Sequence, residues 1–247
     1  MTLWSIHLRR IGPLVSIAGA GVLCGAAPAP EGTEVTGALA GGRYTRSGCG
    51  GYRYNIAEGS VYGQVRGRVG DHMTWSAESA AGAGVVTSVS QTLGEDDDPD
   101  QEQEFRAGDF APVTFHAARL GVDLRYGGVS LGPGLLITDE LASAQLVPSV
   151  SGWAGRRELL YGWGGYFSGP LTGATLPNYI QLGLGRAGPQ WELEVGSNVA
   201  LGLSATGRVR LRERLWLGSD LYVDLPGGRS TRDGARIMGQ ITYRAPR

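Results

Sequence analysis

Eight arginines and six carboxylates share one phase of an alternating pattern: Arg66, Arg68, Arg119, Arg125, Arg208, Arg210, Arg212 and Arg236 with Glu78, Asp123, Glu192, Glu194, Asp220 and Asp224. Side chains of an extended strand point alternately to opposite faces, so residues two apart share a side. If that side is enclosed, these groups must pair, because a buried ion without a partner is costly. Two arrangements follow. In one, arginines and carboxylates pair across strands and fill the interior as a polar plug. In the other, Arg66, Arg68, Arg125, Arg210 and Arg212 crowd one rim as a basic constriction that favours anions, with the six carboxylates as acidic partners along the lumen.

The opposite phase is almost free of charge. In SVYGQVRGRV, residues 60 to 69, Val61, Gly63, Val65, Gly67 and Val69 fall on one face and Tyr62, Gln64, Arg66 and Arg68 on the other. The same contrast returns with Met73, Trp75 and Ala77, with Trp191, Leu193 and Val195, with Leu215, Leu217, Leu221 and Val223, and with Ile237, Gly239, Ile241 and Tyr243. A period of 2 marks β-strands.

These strands are joined in a regular way. Short joints are expected at Gly70-Asp71, Gly127-Gly128, Gly155-Arg156, Ala187-Gly188-Pro189 and around Glu213, as hairpin turns between alternating runs. Longer connectors are expected at 47 to 59, 84 to 112, 139 to 144, 169 to 177 and 225 to 233, with 200 to 202 a short exception. Short and long joints therefore lie on opposite rims. Within the longest connector, Val85 to Leu93 has the residues to extend a strand.

The N-terminus reads as an export signal over residues 1–26, with Arg9-Arg10, an apolar run from Ile11 to Cys24, and small residues for cleavage near Ala26 or Ala27. A flexible segment, 27–34, follows, and residues 35–247 form the barrel domain with its acidic long loop at about 84–112. Arg9-Arg10 is a poor match to a twin-arginine signal. Leu23 before Cys24 departs from the lipoprotein pattern, which wants a small residue there. Cleavage leaves Cys49 alone, so no disulfide framework is expected.

The chain has 247 residues, 42 of them glycine, and 22 basic residues that are all arginine; its net charge of −1 lacks the dominant basic field of a nucleic-acid binder. In its alternation, short turns at one rim, long loops at the other and a last strand ending near Tyr243, the chain resembles the bacterial outer-membrane β-barrels. That resemblance implies an all-β fold: an antiparallel up-and-down transmembrane β-barrel of about 12 strands, within a range of 8 to 12, in the outer membrane of a Gram-negative bacterium. Its partners would be membrane lipid and small anions or other small solutes, with no nucleic acid and no cofactor. Twelve strands allow a narrow pore or a pocket. The implied role is non-enzymatic: a narrow porin-like channel, or a structural surface barrel with a charged lumen. Arg244-Ala245-Pro246-Arg247 after Tyr243 departs from an aromatic terminus.

Three further readings are weighed beside this one. A soluble barrel or sandwich would turn the apolar phase inward. A lipid hydrolase would need a serine and a base on the outer wall, and Ser79 and His116 share the apolar phase toward the long-loop rim, without any local motif. In GEDDDPDQEQE, residues 94 to 104, Asp96, Asp98 and Asp100 have the spacing that opens a calcium loop. Gln101 replaces the required glycine and Ala107 the closing glutamate, so a solvated loop is expected and no metal site. His72 is expected at a rim, and no nucleotide-binding or zinc motif is present.

Overall fold

The computed structural model describes residues 30–47, 51–91, 105–138, 145–167, 180–198, 202–224 and 232–246. These form twelve strands: β1 (Glu34–Ser47), β2 (Tyr52–Val69), β3 (Met73–Gln91), β4 (Phe110–Leu124), β5 (Gly127–Thr138), β6 (Gln145–Arg156), β7 (Leu160–Phe167), β8 (Ile180–Ala187), β9 (Trp191–Asn198), β10 (Gly202–Arg210), β11 (Leu215–Asp224) and β12 (Arg232–Arg244). Each pairs antiparallel with its neighbours in sequence, and β1 pairs with β12 to close the barrel. Closure leaves no free sheet edge.

Alternation decides which face each residue takes. Along β12, Ile237, Ile241 and Tyr243 are exposed while Met238, Gln240 and Thr242 are buried. The outer wall carries Leu39, Leu131, Leu146, Leu182, Leu217 and Ile241 among many large exposed apolar side chains, Leu146 reaching 76%. Beyond this band, at the long-loop rim, the outside turns polar. There Thr45 donates to Asn55 at 2.9 Å and Asn55 donates to Ser88 at 2.8 Å.

The turns follow from local chemistry. Gly70 takes φ 66°, a conformation that side chains with a Cβ rarely adopt, where the chain reverses after β2. Gly155 takes φ 128°, and a Cβ there would press on the backbone of Leu160 and Tyr161. The β6–β7 reversal accordingly falls at residues 157–159, two residues later than the sequence placed it.

Two expected connectors are partly strand. Residues 52–59, read as loop, belong to β2, because Tyr54 and Ile56 point inward and are buried. Here the contrast that marks the rest of the strand is inverted, with Tyr54 and Ile56 on the inner face and Arg53 and Asn55 on the outer one. β3 runs on to Gln91 and β4 begins at Phe110, so the longest connection is 92–109 rather than 84–112. A bulge at Asn55/Ile56 leaves Thr87 as the extra residue on β3, and its hydroxyl donates to the Asn55 carbonyl at 3.0 Å. The signal segment, Cys24, Cys49 and the acidic run 94 to 104 lie outside the described residues.

Candidate functional site in the barrel interior

The interior is built in rings, each set by strand register. At the short-turn end Glu34 sits opposite Arg66 on β2 and opposite Arg244 on β12. Its carboxylate accepts from Arg66 at 2.8 Å and from Arg244 at 2.6 Å, and Arg208 from β10 lies 3.4 Å away. Glu192 on β9, four strands away, shares two of these arginines. It pairs with Arg244 at 2.9 Å, with Arg208 at 3.7 Å and with Arg157 of the β6–β7 turn. Arg244 also lies over the Trp216 ring, 4.1 Å from its centre. Two carboxylates thus bind four arginines in one layer.

Further rings follow a shared rule: a long side chain crosses a glycine on the next strand and reaches the strand beyond. Tyr161 crosses Gly185 and donates to Glu194. Trp153 crosses Gly128, and its Nε1 donates to Asp123 at 2.9 Å. Arg119 spans the position of Gly132 and donates from Nε to Ser149. Arg236 crosses Gly42 to come within 3.9 Å of Glu58. A Cβ on Gly128 or Gly185 would collide with the side chains that pass over it.

The remaining carboxylates are also held. Glu78 accepts from Arg119, from Tyr62 at 3.0 Å and from Gln64 at 3.4 Å. Asp123 accepts from Arg68 at 2.9 Å, and Asp220 accepts from Thr206 and, at 3.0 Å, from Gln240. Glu34, Arg66, Glu78, Arg119, Arg208 and Glu194 are each 5% exposed or less. Such paired burial fixes geometry more surely than it adds stability.

The five arginines read as a constriction are not brought together. Arg66 is inward and buried, and Arg68 is inward and part-buried against Asp123. Arg125, Arg210 and Arg212 are exposed at the turns after β4 and β10, where the chain leaves the enclosed face. Of the acidic partners, Glu78, Asp123, Glu192, Glu194 and Asp220 line the interior, and Asp224 ends β11 opposite Gly202. Sequence reasoning missed Glu34, Glu58, Arg157 and Arg244. Glu34 and Arg244 continue the inward phases of β1 and β12, so a strict count of two from Gln240 would have found Arg244. Glu58 was hidden in the supposed loop. Among the described residues the inward charges are seven arginines, namely Arg66, Arg68, Arg119, Arg157, Arg208, Arg236 and Arg244, facing seven carboxylates, namely Glu34, Glu58, Glu78, Asp123, Glu192, Glu194 and Asp220.

The solved structures with this architecture include an outer membrane channel from Pseudomonas putida F1, 11% identical, matching over 89% of this chain and 97% of that one with a TM-score of 0.51. The fold is that of bacterial outer-membrane barrels. The translocator domain of the autotransporter NalP from Neisseria meningitidis is also 11% identical, over 91% of this chain and 92% of that one, with a TM-score of 0.46. The Ralstonia pickettii toluene transporter TbuX is 11% identical, over 87% and 89%, with a TM-score of 0.41. No family model and no curated protein matches the sequence.

On the outer wall of this barrel, Ser79 on β3 stands directly opposite His116 on β4, and both are exposed. Among the described residues no hydrogen bond joins them and His116 has no carboxylate partner. His72 lies at the short-turn rim, 3.3 Å from the Asp123 carbonyl. No cluster of three metal-ligating side chains occurs among the described residues.

Proposed function

We propose that this chain is a non-enzymatic barrel of the bacterial outer membrane, a narrow channel whose interior is held shut by cross-strand ion pairs. The outward phase supports the membrane setting: large aliphatic side chains exposed on every side of a closed sheet are what a hydrocarbon solvent requires, and the backbone is satisfied internally. The observation that carries the closed state is the layer of Glu34 and Glu192 with Arg66, Arg157, Arg208 and Arg244. It links β2, β1, β12, β10, β9 and the β6–β7 turn into one connected set of charges on the inner face at the short-turn end, where a solute would have to pass it. A small anion enters by exchanging with a carboxylate for an arginine.

Planar-bilayer recording of the reconstituted full chain tests this. The wild type should show brief, low conductance, and Glu34→Gln with Glu192→Gln should give longer openings that favour anions, because four arginines then lose their acceptors. Wide, steady conductance in the wild type, unchanged by both substitutions, would overturn the closed-channel reading.

A further inference from the structure

Arg125, Arg156, Arg186, Arg210, Arg212 and Arg214 are exposed at the short-turn rim, and one pair of them is built into a site. Arg125 and Arg156 belong to neighbouring turns, and both guanidinium groups lie against one ring: 5.0 Å and 5.4 Å from the centre of Tyr126. Arg156 also donates to the Tyr126 hydroxyl at 3.4 Å. The spacing is set by backbone, since the Gly155 N–H donates to the Tyr126 carbonyl at 3.0 Å and so ties one turn to the other. Both arginines are exposed, and neither forms an ion pair among the described residues. Two like charges held side by side favour an anion from outside the chain.

Directly beside them the outer wall carries a groove of ≈ 520 Å³, lined by Val122, Leu124, Val129 and the turn Arg125 to Gly128. Gly127 contributes no side chain and so opens the groove, while Leu124 at 59% and Val129 at 53% exposed form apolar walls. The site therefore has a cationic head and an apolar slot that runs down the face in contact with hydrocarbon. A soluble anion would use only the head.

We infer that Arg125, Tyr126 and Arg156 bind the phosphate headgroup of an anionic phospholipid whose acyl chain lies in the Val122–Leu124–Val129 groove. The inference rests on the membrane reading above, with the short-turn rim toward the phospholipid leaflet. Guanidinium groups accept phosphate oxygens through paired N–H donors, and Tyr126 sits at the depth where an aromatic ring meets both headgroup and chain. Other rim arginines differ in setting. Arg186 lies 5.7 Å from the Trp191 ring and donates to the Glu158 carbonyl, and Arg212 lies in the β10–β11 turn away from this groove.

Native mass spectrometry of the detergent-purified full chain, offered equal phosphatidylglycerol and phosphatidylcholine, reads the headgroup preference. Each arginine near an anionic surface is worth about five-fold, so the wild type should prefer phosphatidylglycerol by about ten-fold or more. Arg125→Gln should lower this about five-fold, Arg125→Gln with Arg156→Gln should abolish it, and Arg212→Gln should leave it unchanged. Heat-modifiability shows whether each variant is folded, and the single variants carry the test if the double one is not. Absence of preference in the wild type, an equal loss in Arg212→Gln, or full displacement of the lipid by inorganic phosphate would each overturn the site. Failure of the wild type to enter vesicles at all would instead remove the membrane reading on which the site depends.

Discussion

The two ends of the barrel interior are built from opposite chemistry. At the short-turn end, Glu34 and Glu192 gather four arginines into one ionic layer. At the long-loop end beside β1 to β3, Tyr44, Tyr54, Ile56 and Val86 are buried together with Phe105, whose ring meets Tyr54 edge-on at 5.2 Å. Phe105 arrives there on a turn that is hydrogen-bonded to β3, with Gly108 donating to the Val86 carbonyl at 2.8 Å and Val86 to Asp109 at 3.0 Å. The ionic end joins strands that are far apart in the chain, while the apolar end seats one connecting segment on the strands it links. The first is a property of the closed barrel and the second of a local tuck. Their responses to damage should differ accordingly.

The largest effect is expected at the ionic end. Glu34→Gln leaves three guanidinium groups around a neutral amide, and removing one partner of a buried pair costs about 3 to 5 kcal/mol, so urea unfolding in detergent should show a loss of that order for the whole barrel. Next comes a bridged glycine: Gly185→Ala would push the Tyr161 ring away from Glu194, and overpacking of this kind costs about 1 to 3 kcal/mol. The same unfolding assay measures it, and a loss below about 0.5 kcal/mol would mean that the ring moves aside freely.

Phe105→Ala sharpens the contrast from the other side. Opening of a local segment need not involve global unfolding, so this variant should speed cleavage by trypsin after Arg106 while the urea midpoint stays near that of the wild type. A midpoint shift as large as that of Glu34→Gln would erase the distinction between the two ends. The smallest effect is expected from salt. Glu34, Arg66 and Arg208 at the heart of the ionic layer are buried and hence weakly screened, while Arg157 and Arg244 are partly exposed. Raising sodium chloride to about 1 M, where the screening length is about 3 Å, should therefore move the midpoint little, and a marked fall would show that the layer depends on its exposed arginines.

Most of the architecture was legible in the sequence because a barrel wall with an apolar outer face and a polar interior enforces a period of 2. β2 from Ser60, β9, β11 and β12 carry that contrast in nearly every residue. Where the interior is apolar and the outside polar, the contrast is inverted, with Tyr54 and Ile56 inward and Arg53 and Asn55 outward, and Tyr52 to Gly59 was read as a loop because it breaks the pattern of the rest of β2. Phase also explains the placement of the site. Arg66, Arg119 and Arg208 lie within strands, and Arg68 near the end of β2 still keeps its phase against Asp123; alternation located all four on the inner face. Arg125, Arg210 and Arg212 lie at strand ends, where the backbone turns and a count of two no longer predicts direction. The pairing of Tyr161 with Glu194 or Arg119 with Ser149 depends on register between strands, which no single strand encodes.

The glycines under these crossing side chains have a consequence for assembly. A contact such as Tyr161 over Gly185 to Glu194 involves three consecutive strands, so it exists only when all three are aligned. A slip of β8 by one residue would replace Gly185 with Leu184 or Arg186 and block the crossing, besides turning every side chain of the strand to the wrong face. Each glycine therefore acts as a keyhole that admits its side chain in one alignment alone. Such keyholes at Gly128, Gly132 and Gly185 fix register between neighbouring strands within the wall, and the one at Gly42, crossed by Arg236 from β12, fixes the register of the β1–β12 seam itself.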